Sequence, residues 1–217
     1  MKGRDQKLSS SGSDRWRDRV AHAVLGGLLC LGLLGGCSTP PPRAPDQLCQ
    51  IFAQHPSWYR AAWAAQKEWG TPVAVTMAFV HRESSYRANA KPPRGKLLWI
   101  IPWRRPSTAY GYAQATNETW DDYLRLRGGW FRSRNDFADA VDFIGWYNHL
   151  SRRELGLAAN DARNLYLAYY HGRGGYKRGA HKRDAHSPGY AAKVAARAAQ
   201  YRAQQAKCPK PPSRFWR

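Results

Sequence analysis

From residue 57 to about residue 203 apolar side chains recur at helical spacing, and the polar residues between them are helix starters and stoppers. Ser57 stands as a cap before Trp58, Tyr59, Ala62, Trp63 and Trp69. Thr71-Pro72 has the form of a cap followed by proline at the first helical position, and Val73, Met77 and Val80 carry that helix to about Ser84. Asn117 opens a short helix with Trp120, Tyr123 and Leu124. Asn135 opens a longer one, striped by Phe137, Ala140, Val141, Ile144 and Tyr147 and stopped by Gly156. Asn160 begins a helix with Leu165, Tyr166 and Tyr169 that ends at Gly172, and Ser187-Pro188 begins the last, with Tyr190, Val194 and Tyr201 inward. Six helices with almost no strand-like alternation predict a mainly α single domain.

Ahead of this region the pattern changes. Residues 1–23 are polar and basic on balance, and Val24 to Leu34 is an apolar run, too short to span a bilayer comfortably but suited to a signal peptide. It ends in Leu34-Gly35-Gly36-Cys37-Ser38, which resembles a bacterial lipobox, where the cysteine is lipidated and becomes the new N-terminus. An ordinary signal peptide or a short anchor is the other reading. On the lipobox reading residues 1–36 are a lipoprotein signal peptide and 37–47 a lipidated, proline-rich tether; 48–208 form the working domain and 209–217 a basic tail. Ser38 follows Cys37 where an aspartate would favour the inner membrane, which by the same resemblance implies the periplasmic face of the outer membrane.

Composition narrows the class. The 217 residues are 43% hydrophobic with 10 Trp and 12 Tyr, too rich in rings for a disordered basic tail and unlike collagen, a coiled coil or a multi-span membrane protein. Loss of residues 1–36 removes six basic and three acidic groups, so +17 of the formal +20 belongs to the working domain and implies an anionic partner. Cys30 leaves with the signal and Cys37 takes lipid. Cys49 and Cys208 remain near the two ends of the domain, where export permits a disulfide between them or two free thiols.

Acids are scarce, and most have a plain role. Asp121 and Asp122, like Asp136 and Asp139, are expected in first helical turns, where negative charge meets the helix dipole. Glu83 departs from this. It stands at the C-terminal end of an apolar helix behind Ala78-Phe79-Val80, where both the dipole and the core disfavour its charge. A carboxyl kept protonated near neutral pH serves as a general acid, whereas a carboxylate paired with Arg82 or Arg87 is structural; spacing alone leaves both open.

The surrounding motifs decide between them. His81-Arg82-Glu83-Ser84-Ser85-Tyr86 resembles the Glu-Ser motif of the soluble-lytic-transglycosylase family, whose lysozyme-like domain cleaves peptidoglycan. Gly111-Tyr112-Ala113-Gln114 is similar to its Gly-Leu-Met-Gln motif, and Ala168-Tyr169-Tyr170-His171-Gly172 to its Ala-Tyr-Asn-Ala-Gly motif. Tyr190, Val194 and Tyr201 fit its closing helix. No single motif is specific; the four in order behind an export signal are. The resemblance implies a lysozyme-like fold and cleavage of the bond between N-acetylmuramic acid and N-acetylglucosamine. It gives Glu83 the roles of acid and then base and yields a 1,6-anhydro-muramoyl end, with no cofactor and no metal. It places Ser84, Gln114, Tyr169 and Tyr170 among the substrate-binding residues, with Ser84 bonding locally to shape the site, the Gln114 amide able to bond sugar or backbone, and the Tyr169 hydroxyl able to reach the catalytic carboxyl. A hydrolytic muramidase using the same glutamate, and a silent glycan-binding lipoprotein, are the alternatives.

Two departures from the family stand out. Tyr170 and His171 replace its usual Asn and Ala, which puts sugar contacts in doubt more than the chemistry. Between Glu83 and Gln114 lies an insertion, residues 91–106, centred on Lys96-Leu97-Leu98-Trp99-Ile100-Ile101-Pro102-Trp103-Arg104-Arg105, where basic residues bracket an apolar run: a packed loop or short hairpin, a membrane-touching element, or a flap over the cleft, which it is expected to line. The basic stretch 171–183 is expected to be a mobile loop beside the cleft. Behind an export signal it implies no nucleic-acid partner, and His181 and His186, five apart, make a poor metal site.

Overall fold

The computed structural model describes residues 39–93, 96–97, 101–102, 107–129 and 131–208. Eight helices lie among them: α1 (Leu48–Gln54), α2 (Pro56–Trp69), α3 (Val73–Ser84), α4 (Asn117–Arg127), α5 (Phe137–Leu155), α6 (Ala162–Lys177), α7 (Ala180–Arg183) and α8 (Ser187–Gln205). The architecture is the expected mainly α, lysozyme-like one, with α1 and α7 beyond the six helices predicted. None of these helices is long and apolar enough to cross a membrane.

Most helix starts fall one residue from the prediction, for a common reason. Thr116, Asp136 and Asp161, not Asn117, Asn135 and Asn160, accept the amides of Thr119, Asp139 and Asn164. In each pair two adjacent residues are both good caps, and composition does not choose between them. At α2 it is Pro56, not Ser57, that opens the helix. At α3 Pro72 takes the cap position; the Val73 amide is met by Gln66 Oε1 at 2.7 Å, while Thr71 Oγ1 is buried with no hydrogen-bond partner. Glu118, not Asp121 or Asp122, is the acid in the first turn of α4.

Helix α3 is the axis of the core. Nine of its residues are buried, Val73 through Val80 and Ser84, as befits a helix apolar nearly all round. It packs on α8, α2 and α5, while α6 bridges α5 and α8. Burying an aromatic or aliphatic side chain of the Phe79 or Ile144 kind contributes about 1.5–3 kcal/mol. Gly145 lets α2 and α5 meet closely, since a Cβ there would lie 2.6 Å from Trp69. At one end Trp58 stacks on Phe137 at 4.0 Å, with Tyr112 edge-on to both.

Two further expectations are corrected. The proline-rich segment is docked, not a free tether, from residue 39 on. Pro42 is buried, Pro45 O accepts the Tyr201 hydroxyl, and Asp46 O accepts the Gln204 side-chain amide at 3.0 Å. Prolines leave unpaired carbonyls, and the polar side chains of α8 supply the donors. The stretch 171–183 is largely helical, not a loop. Gly172, at φ 71° and ψ 154°, interrupts the helical path of α6 where the sequence places its stop, and a second helical stretch follows, held by Arg173–Glu154 and Tyr176–Asn164 contacts. In the insertion, Lys96–Leu97 (β1) pairs antiparallel with Ile101–Pro102 (β2); its tryptophans, Trp99 and Trp103, lie outside the described residues, as do residues 1–38 and 209–217. Cys49 and Cys208 are disulfide-bonded, joining α1 to the end of α8.

Candidate active site

Three segments distant in sequence converge at the C-terminal end of α3. The helix stops because Ser85 and Tyr86 both adopt left-handed backbone, with φ of 50° and 62°. The Ser85 amide bonds His81 O at 3.0 Å, and Tyr86 turns its ring into the core, its hydroxyl on Met77 O and against the Tyr201 hydroxyl. The chain then reaches Ala90, whose carbonyl accepts both the Gly111 amide and Gln114 Nε2 at 2.9 Å. Gln114, itself left-handed at φ 49°, also donates to Gly111 O. Its amide therefore fastens the second motif to the turn that follows Glu83. Gly111 is required there: a Cβ would lie 1.9 Å from Arg134 O. From α6, the Tyr169 hydroxyl donates to Ala113 O at 2.6 Å and fastens the same turn to the third motif.

Glu83 sits where these three meet. Protein crowds its carboxyl on most sides, yet the residue keeps part of its surface open. Burial pushes its pKa up to about 7, against the smaller opposing effects of a Tyr166 hydrogen bond and the nearby Arg82 guanidinium. Arg87, the other cation considered as a partner, donates instead to Ser84 O. Arg82 lies over the Tyr190 ring at 4.0 Å.

The tyrosine whose hydroxyl bonds the carboxyl is Tyr166, one turn before Tyr169; burial together with Glu83 drives the Tyr166 hydroxyl pKa well above its ordinary range, and the same carboxyl acts on the buried Tyr169. Phe79 packs edge-on against both rings, at 5.3 and 5.4 Å. The available sequence signal was that a buried tyrosine needs a partner for its hydroxyl. Ser84 is 1% exposed and its hydroxyl bonds Val80 O within α3, the local bond expected of it, so it shapes the helix end that carries Glu83. Gln114 has both N–H groups spent on backbone, leaving only its oxygen for a ligand. Tyr170 is 49% exposed and flanks Tyr166 and Tyr190, the placement of a contact residue at a site's edge.

His171, Ser187 and Asp184 have the composition of a nucleophilic triad but not its geometry. One nitrogen, His171 Nε2, faces both Ser187 Oγ at 2.8 Å and Asp184 at 3.6 Å, and Ser187 is fully buried. The cluster secures the start of α8. Among the described residues no three His, Cys, Asp or Glu side chains gather as a metal site. What remains is one carboxyl, on a partly exposed residue, whose pKa burial raises to about 7 and which a tyrosine hydroxyl meets: the equipment for giving and taking back a proton.

Residues 25–208 match the family model described as the transglycosylase SLT domain. No curated protein matches the chain.

Proposed function

This chain belongs to the transglycosylase SLT domain family, which makes it a peptidoglycan-directed lytic transglycosylase, and we propose that Glu83 performs its chemistry alone, as acid and then as base. Glu83 gives its proton to the oxygen joining N-acetylmuramic acid to N-acetylglucosamine. It then takes the proton of the muramoyl 6-hydroxyl, which attacks the anomeric carbon and closes a 1,6-anhydro ring. Bond broken and bond formed balance without water. The observation that carries the reading is a crowded carboxyl, on a residue that keeps part of its surface exposed, whose pKa burial raises to about 7, so that it is half protonated near neutral pH. Tyr166 keeps it aimed, and Tyr170 lines the approach. The glycan acetamido group, not a second carboxylate, stabilises the cationic centre. Lipid on Cys37 holds the domain on the periplasmic face of the outer membrane.

Mass analysis of fragments released from purified sacculi tests the reaction. Anhydro ends, each lighter by one water than a reducing end, are expected. Reducing ends would make the protein a hydrolytic muramidase with the same acid, and no fragments from any substrate would make it a glycan binder.

Tyr166 has its own signature. Its hydrogen bond favours the ionised carboxylate, so Tyr166→Phe should raise the Glu83 pKa and move the alkaline limb of the kcat/KM profile to higher pH. Turnover on the plateau should fall about tenfold through looser positioning. Tyr169→Phe, which loses a bond to Ala113 O, should leave that limb closer to its wild-type place. An unmoved limb in Tyr166→Phe would remove it from the mechanism.

A further inference from the structure

A cleft of about 400 Å³ opens between α3 and α8, on the flank of the Glu83 site. Ala78 and Val194 are among its apolar lining; Arg82, Lys193, Arg197 and His81 supply its polar walls. Arg82 is the wall shared with the catalytic centre, since the same guanidinium acts on Glu83 and stacks on Tyr190. At the rim stands a carboxylate from the chain itself: Asp46, in the docked N-terminal segment, pairs with Arg197 and approaches His81 at 3.7 Å. Burial, with Arg197 beside it, lowers the His81 pKa, so at neutral pH the cations there are Arg82, Lys193 and Arg197, with Asp46 offsetting one of them.

We propose that this cleft is a second binding site, one that takes the free carboxylates of the peptide stem carried by the muramoyl residue at the cleavage point. The proposal rests on the peptidoglycan reading above. Three features favour a stem over a membrane phosphate. The site is a concave groove, whereas a bilayer presents a broad face. Its apolar lining suits the methyl side chains of alanyl residues between carboxylates. It adjoins the catalytic carboxyl through a single side chain, as a branch on the reacting sugar requires. Asp46 already displays the contact: a peptide carboxylate on Arg197. Lys193, exposed and turned to the cleft, is the cation placed to meet the incoming one.

Lys193→Ala in the full chain tests this, because Lys193 has no part in the chemistry. On stem-bearing sacculi the half-saturating substrate concentration should rise about five- to tenfold with kcat unchanged, and on glycan stripped of stems by an amidase it should not move. Equal losses on both substrates, or none on either, would overturn the site. Direct titration with N-acetylmuramoyl-L-alanyl-D-glutamate supplies a readout independent of cleavage. The wild type should bind it severalfold tighter than Lys193→Ala and tighter than neutral chitotriose, and added salt should weaken the difference. Wild-type activity on stripped glycan without this binding difference would sink the cleft alone; stem binding without cleavage would sink the catalytic reading alone. Loss of binding to phosphatidylglycerol vesicles in Lys193→Ala, with muropeptide binding intact, would assign the cleft to lipid and overturn the proposal.

Discussion

Glu83→Gln should abolish glycan cleavage, by about 10²–10⁴-fold, and at the same time make the domain more stable at pH 8. The loss is expected at the upper end of that range, because one group serves both the donating and the accepting step. The gain follows from linkage. In the folded chain the Glu83 pKa is about 7, above its ordinary 4.5, so the folded state holds this proton more tightly. Below about pH 4.5 both states are protonated and the group costs nothing. Between about 4.5 and 7 only the unfolded chain ionises, and stability falls as pH rises. Above 7 the cost is complete, on the order of 3 kcal/mol. Glutamine never ionises, fills the same space and still accepts the Tyr166 hydroxyl. Thermal unfolding at pH 4 and pH 8 checks it: the variant should exceed the wild type by several degrees at pH 8 and match it at pH 4. A residual activity within tenfold of wild type would remove Glu83 as the acid, and an identical pH dependence of stability would deny it the raised pKa.

That trade between activity and stability is why Glu83 was visible in the sequence. A carboxylate at the end of an apolar helix violates two local preferences at once, and such violations mark functional sites. Its partner was harder to see. Tyr166 and Tyr169 lie on the same inward stripe of α6, one turn apart, and periodicity cannot tell which hydroxyl meets an acid on another helix. Tertiary placement decides: the Tyr166 hydroxyl meets Glu83, while that of Tyr169 is given to Ala113 O. The docked N-terminal segment was illegible for a related reason. Its prolines announce an extended chain, but the donors that hold it are on α8, with Tyr201 156 residues away from Pro45. Helix α1 carries no capping side chain and only seven residues, so nothing local specifies it. It exists because Leu48, Ile51 and Phe52 are buried against the rest and because Gln204 Oε1 receives the Leu48 amide at 2.7 Å.

Helix α1 is accordingly where the second large effect is expected. The double variant Cys49→Ser/Cys208→Ser should lose about 2–5 kcal/mol of stability, since the bridge spans 159 residues and constrains most of the unfolded domain. For a domain of this size that is a fall in Tm of roughly 5–15 °C. The bond also restrains the docked segment, because α1 follows it directly and the end of α8 receives both. Cleavage measured at 25 °C should nevertheless survive, because α3, which carries Glu83, is held by its own burial against α2, α5 and α8. Unfolding with and without a reductant separates the contributions. Reductant should lower the wild-type Tm to that of the double variant and leave the variant unchanged. A variant as stable as the wild type would mean that α1 is secured by its apolar contacts alone. A variant that is inactive yet folded would mean that the α1–α8 link reaches the catalytic helix, through the Tyr201–Tyr86 hydroxyl pair that joins α8 to the turn behind Glu83.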